Sequence, residues 1–231
     1  MENVLTYFLQ VNLLLVIVFL GYQFLLKNLT FYILNRVYFV IGSLYALLYP
    51  LLDVKSLLVD DAQVSVPILW DYVPMQVVAQ ITVRYSVYDV LLVGIAIGAI
   101  LFVLKFIVQL LSLVRIHFSS KKAQWHTYIF RDVIFPIVPF SFFNKIYLHK
   151  AQHQEIELND ILEHENVHVK GLHTWDVLFF EILLVACWYN PFLWFMRKAV
   201  RQNLEFLTDQ QVLNRGVDRQ TYQYSLLHVT Q

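Results

Sequence analysis

Cysteine is nearly absent from this chain of 231 residues, which carries only one, Cys187. A single cysteine excludes an intrachain disulfide and a structural zinc site built from paired thiolates. Cys187 is therefore expected to be a small, buried, apolar residue. Charge is scarce as well. Charged residues make up 15% of the chain, and 17 Lys+Arg balance 17 Asp+Glu to a net charge of zero. With no basic excess there is no electrostatic footprint for nucleic acid, so direct nucleic-acid binding is not expected. No internal repeat or low-complexity tract interrupts the chain. What it has in quantity is apolar side chains, at 58% of residues. They are gathered in long uncharged runs, which makes an integral membrane protein the first reading, with the lipid bilayer as a partner.

The first run carries no charge from Asn3 to Leu26 and is continuously apolar from Leu13 to Leu20. That is long enough to cross a bilayer. It is not read as a cleaved signal peptide, because no basic segment precedes it and no small-residue cleavage site follows. A connection bracketed by Lys27 and Arg36 leads to a second uncharged run, Val37 to Leu52. This run is slightly short, so its helix is expected to begin among the residues before it. A third extends from Val90 to Leu104 and continues past Lys105 to Val114. The pattern predicts spans over residues 4–26, 33–52 and 88–112 within a transmembrane region of residues 1–114. Gly94 and Gly98 form a Gly-x-x-x-Gly pair. It either admits close helix packing or reflects the ordinary tolerance of membrane helices for glycine.

Residues 53–84 carry Asp53, Asp60, Asp61 and Asp71 against Lys55 and Arg84. They read as a loop, with Val77 to Tyr85 as a strand or an amphipathic element. Positive charge lies instead in the first connection and after the third run, at Arg115, Lys121 and Lys122. The positive-inside rule makes those two sides cytoplasmic and the acidic loop external. Residues 115–231, the second predicted domain, then face the cytoplasm.

Within that domain, Trp125 to Leu148 is rich in aromatic and β-branched residues and is broken by Pro136 and Pro139. It reads as short strands or a hairpin. One of them could offer its edge to a substrate backbone, or could simply pack. The sequence His164-Glu165-Asn166-Val167-His168 follows. On a helix, residues i and i+4 share a face, so His164 and His168 can grip one metal ion. Glu165 is then placed to take a proton from water activated by that metal. Asn159 is a candidate N-cap for this helix. His-Glu-x-x-His is the spacing of a zinc peptidase, and Zn2+ is the expected cofactor.

Catalytic zinc normally keeps three protein ligands and one open position. The best candidate for the third is Glu205, on a helical segment where Asp209 lies one turn further on. Asp209 can orient a ligand histidine from behind. Asp176, beyond the motif, is a further candidate for that outer role. His173 falls on a different face of a continuous helix from His168 and is expected to be structural or exposed rather than a ligand. Tyr222, Tyr224 and His173 have suitable chemistry for stabilising an oxyanion, but the sequence does not choose among them.

From His164 to Leu213 the chain resembles the BlaR/MecR-type bacterial membrane metallopeptidases, receptors and antirepressors with a gluzincin-like site. The matching pieces are the His164–His168 motif, Trp188-Tyr189-Asn190-Pro191-Phe192-x-Trp194, and Glu205-x-x-x-Asp209 followed by Val212-Leu213. Pro139-Phe140-Ser141-Phe142-Phe143 also looks like that family. The resemblance implies zinc bound by His164, His168 and Glu205, with Glu165 as general base. It implies a mainly α membrane protein whose three helices precede a cytoplasm-facing, gluzincin-like α+β peptidase domain with a membrane-associated apolar helix. It further implies a bacterial inner-membrane protein that transduces a signal by cleaving a cytoplasmic transcriptional repressor or itself, with a homodimer among the expected assemblies. Two other readings stand beside it. One is a receptor or scaffold that keeps a metal for structure alone. The other is a housekeeping membrane protease of the CAAX or heat-shock type.

Val177 to Met196 is apolar enough to resemble a fourth span, yet it holds Glu181 and the Asn190-Pro191 break. A simple crossing would put Glu205 on the opposite side of the membrane from His164. If Glu205 is a ligand, the stretch must return, as a buried helix, a re-entrant hairpin or an element resting on the membrane. The helical pattern that opens at Thr221 stops unresolved at Gln231, and the chain is read as truncated there.

Overall fold

The structure is a computed structural model that describes residues 2–52, 87–217, 219–220 and 222. The acidic loop with its Val77–Tyr85 element, Tyr224, and most of the Thr221–Gln231 pattern lie outside the described residues. What is described is mostly helical, with a small sheet.

The uncharged runs form helices because a backbone in lipid must satisfy its polar groups internally. Helix α1 is Glu2–Gly21 and continues as a π turn, Tyr22–Leu26. Helix α2 is Tyr32–Leu48, starting in the polar residues ahead of its apolar run. Helix α3 is Val87–Ser119, longer than the predicted span, because neither glycine nor proline interrupts it after Gly98. All three are long and apolar enough to cross a membrane. Their outer faces expose Leu9, Ile17, Ile41, Leu101 and Val108, a surface suited to hydrocarbon.

A four-stranded sheet follows: β1 Ser120–Trp125, β2 Tyr128–Val133, β3 Phe140–Phe142 and β4 Lys145–Leu148. Its spatial order is β1-β2-β4-β3. The two hairpins are antiparallel and meet through a parallel β2/β4 pairing. Strand β3 is therefore an edge. One face of the sheet buries Phe130, Ile146 and Leu148 against Leu158, Ile161 and Leu162.

Those last three residues belong to α4, Glu155–Lys170, which carries the His-Glu-x-x-His motif. The helix starts a turn earlier than an Asn159 cap would allow. Gln154 and Glu157 form a capping box, each side chain reaching the other's backbone, and this satisfies the first free amides.

The ambiguous apolar stretch is two helices. Helix α5 is His173–Ala186 and α6 is Pro191–Leu213. The chain breaks where Pro191, with no N–H, cannot donate a helical bond and Asn190 caps the next helix by accepting from the amide of Phe192. At about 1.5 Å per residue α5 is roughly 21 Å long, short of a bilayer's hydrocarbon core. The pair forms a hairpin that goes out and comes back. Its sides bury Phe180, Leu184, Leu193 and Met196 against Leu15 and Phe39 of α1 and α2.

The hairpin tip is pinned by neutral polar groups. Asn190 Nδ2 donates to Asn12 Oδ1 of α1 at 2.9 Å, and Asn12 Nδ2 donates to the Tyr189 hydroxyl at 2.7 Å. Trp188 Nε1 donates to the Ile95 carbonyl of α3 at 3.1 Å. Asn12 and Ile95 each lie roughly two turns inside their apolar helices. Of the two glycines singled out above, Gly98 faces Trp188: an added Cβ would fall 2.1 Å from the indole ring. A Cβ at Gly94 would meet nothing within 4 Å among the described residues. The close approach that the glycine pair allows is thus made at Gly98, to the hairpin of the same chain.

Candidate metal centre

Helix α4 presents His164 and His168 one turn apart, and α6 crosses them with Glu205. His164 Nε2 and His168 Nε2 are 3.1 Å apart. Glu205 Oε2 lies 3.3 Å from the first and 3.5 Å from the second. A tetrahedral zinc with bonds of about 2.05 Å would set neighbouring ligand atoms about 3.3 Å apart. The three atoms therefore already stand at the spacing such an ion requires, and the donor set suits it. Among the described residues this is the group of His and acid side chains close enough to hold a metal.

The electrostatics are those of a cation site. Burial works against charge on His164, but the carboxylates of Asp209 and Glu205 outweigh it and raise the imidazole to about 9. Burial likewise pushes Glu205 up, and the two histidines overcome it, holding this carboxyl well below the usual range.

Each ligand histidine is held from behind. On His164, Nδ1 lies 2.6 Å from the Tyr222 hydroxyl and 3.3 Å from Asp209 Oδ1. Tyr222 in turn donates to Asp209 Oδ1 at 2.8 Å. Burial and the Asp209 carboxylate raise the phenol, so it stays protonated as a donor. On His168, Nδ1 lies 2.8 Å from Nδ1 of His173. Burial and the neighbouring His168 lower His173 to about 3, so it is a neutral acceptor for the His168 N–H. Both arrangements leave the Nε2 lone pairs for a metal.

Glu165 is buried beside the ligands and hydrogen-bonded to Ser141 of β3. Burial raises its carboxyl against the pull of His168 and His164. A base tuned upward toward the working pH is what proton transfer asks for.

The structure brings His164, Glu165, His168, Glu205 and Asp209 together. It places Asp176 elsewhere. That carboxylate forms a two-point ion pair with Arg36 of α2, at 2.7 and 3.2 Å, while Arg36 also donates to the Gly171 carbonyl at 2.8 Å. Sequence reasoning set His173 apart from His168 because it assumed one continuous helix. In fact α4 stops at Lys170, and Leu172 adopts a left-handed conformation (φ 54°) that turns the chain back. Gly171 makes room for the return, since a Cβ there would lie 2.5 Å from His173 Nε2. The glycine was the available signal for this break. Tyr222, read as an oxyanion candidate, stands behind His164, on the side away from Nε2. The partners of Ser141 and Arg36 could not be read from the sequence, because each acts across a long chain separation.

The site opens into a cavity of about 850 Å³. Strand β3, the second half of α3, α5 and α6 line it, with Glu165 and Glu205 at one end and Glu181, Arg197 and Arg201 in its wall.

A helical protein with three candidate spans and a His-His-Glu group able to hold a metal is the outline of a membrane metallopeptidase. The model of the BlaR1 peptidase family, M56, matches residues 46–231, and the chain belongs to that family. No curated protein matches the chain.

Proposed function

We propose that this protein is a zinc metalloendopeptidase of the bacterial inner membrane. Its site faces the cytoplasm, and it passes on a signal by cleaving a cytoplasmic repressor or itself. The observation that carries the reading is the triangle of ligand atoms at 3.1–3.5 Å with Glu165 beside it. A zinc ion held there supplies Lewis acidity, which acidifies water and polarises a peptide carbonyl. Glu165 accepts the proton of the attacking water on its carboxylate and returns it to the leaving amine. Ser141 fixes the direction of that carboxylate. Asp209 with Tyr222, and His173, hold the two imidazoles in the tautomer that leaves Nε2 free. Edge strand β3, which lines the cavity, can pair with an extended substrate backbone. An intact Glu165 favours catalysis over a structural metal, because a structural site has no need of a base.

Sidedness follows from the charges. The domain lies at the end of α3 where Arg115, Lys121 and Lys122 gather, the cytoplasmic side by the positive-inside rule. The α5/α6 hairpin is then a re-entrant element that enters from that side and returns, which keeps Glu205 with His164.

The test is metal content and peptide cleavage by detergent-purified protein. About one zinc per chain is expected in the wild type and in Glu165→Gln, with hydrolysis lost only in the latter. Glu205→Ala should lose both. Zinc-loaded wild type that cuts no peptide, or cleavage indifferent to Glu165→Gln, would overturn the assignment.

A further inference from the structure

The mechanism leaves one charged cluster in the cavity unused. Glu181 of α5 faces Arg197 and Arg201 of α6, and all three line the same cavity as Glu165 and Glu205. Both guanidinium groups converge on a single oxygen, Glu181 Oε1: Arg197 through Nε at 2.6 Å and Nη2 at 2.6 Å, Arg201 through Nη2. One carboxylate cannot neutralise two guanidinium groups. Lys105 of α3 adds a further cation beside Glu181 and Arg197, in a small adjoining cavity. The other acids lining the main cavity, Glu165, Glu205 and Asp209, belong to the metal end. This stretch of the cavity wall therefore carries a net positive charge.

If the cluster were only a staple between α5 and α6, Arg197 alone would complete it as a neutral pair. Arg201 is surplus to that need, and its side chain is about half-exposed, at 48%. Each guanidinium carries five N–H donors in a planar fork, and the hydrogen bonds to Glu181 use one from Arg197 and one from Arg201. The remainder suit a carboxylate. Position gives the register. Along α6, Arg201 and Arg197 lie one and two turns before Glu205, about 6 and 12 Å at 1.5 Å per residue. An extended peptide advances about 3.3 Å per residue, so those distances correspond to about two to four residues.

We propose that Arg201 and Arg197, set against Glu181, form a subsite that receives an acidic side chain of the substrate polypeptide two to four residues from the scissile bond. This deepens the peptidase reading and rests on it.

The experiment measures binding apart from hydrolysis. Fluorescent peptides carrying one Glu, walked from one to five residues on either side of the central bond, are compared with their Gln counterparts. Binding is read by fluorescence anisotropy on the detergent-solubilised full chain bearing Glu165→Gln. Glu at two to four residues on one side should bind about tenfold tighter than Gln. Adding Arg201→Gln, which leaves the Arg197–Glu181 pair to hold the hairpin, should abolish that preference and leave neutral peptides unchanged. Arg201→Lys should restore part of it. Equal binding of the Glu and Gln series, or a preference that survives Arg201→Gln, would overturn the subsite. Cleavage by the wild type is scored separately, so peptides that bind by charge and are never cut would count against the peptidase and not against the subsite.

Discussion

The two ends of α6 are fastened by different chemistry. Its N-terminal end is pinned by neutral groups, with Asn190 on Asn12, Tyr189 on the same asparagine, and Trp188 on the backbone of α3. Its C-terminal half is fastened by charge, through Glu205 and Asp209 facing two histidines. Surroundings explain the difference. The tip is packed among apolar helices, where an unpaired ion is expensive and an amide pair is tolerable. The other half borders a cavity large enough for water and substrate. The charges between them, Glu181, Arg197 and Arg201, are joined to one another at the wall of that cavity. One helix thus serves as an anchor at one end and as a source of ligands at the other.

Substitutions at each end should separate the two roles. The largest effect belongs to the charged end. His168→Ala should bring zinc from about one per chain to background, measured by atomic absorption, with helical circular dichroism unchanged. Retained zinc would mean that this end is not the metal centre. Next come the groups behind the ligands. Tyr222→Phe and Asp209→Asn should each weaken zinc retention against a chelator by about 10- to 100-fold, while the metal still binds at saturation. An unchanged chelator titration would show that His164 needs no support.

The neutral end should respond in stability and not in metal. Gly98→Ala drives a methyl into the Trp188 ring and should cost about 1–3 kcal/mol in a detergent melt, whereas Gly94→Ala should be near neutral. Equal effects at the two glycines would break the assignment of Gly98 to the hairpin contact. A smaller cost than at Gly98 is expected from Asn12→Leu, about 0.6 kcal/mol and up to about 1.7 for each hydrogen bond it removes. Zinc content should not move in that variant. If it fell, the anchor and the site would be coupled along α6.

Local patterns carried much of this to the surface of the sequence. A pair of histidines four apart must share a helix face, so the metal motif could be read from spacing alone. Three long apolar runs, with no proline before their last residues, had to become helices long enough to span. The Asn190-Pro191 break announced that the last apolar stretch was not one helix, and a shared site with Glu205 required it to return.

What spacing could not supply is everything set by the path of the chain between elements. His173 meets His168 only because Gly171 and Leu172 reverse direction after α4. Asp176, pictured near the metal, is held by Arg36, far away in sequence. Ser141 reaches Glu165 because the sheet order puts β3 at an edge beside α4. Tyr222 closes behind His164 from the far end of the chain. The sequence by itself determined the long apolar helices, the motif and the ligand types, since those depend on periodicity and composition within one segment. Which side chains stand behind each ligand, and which cations share the cavity, was decided by tertiary structure alone. Such contacts join segments whose separation along the chain says nothing of their distance in space.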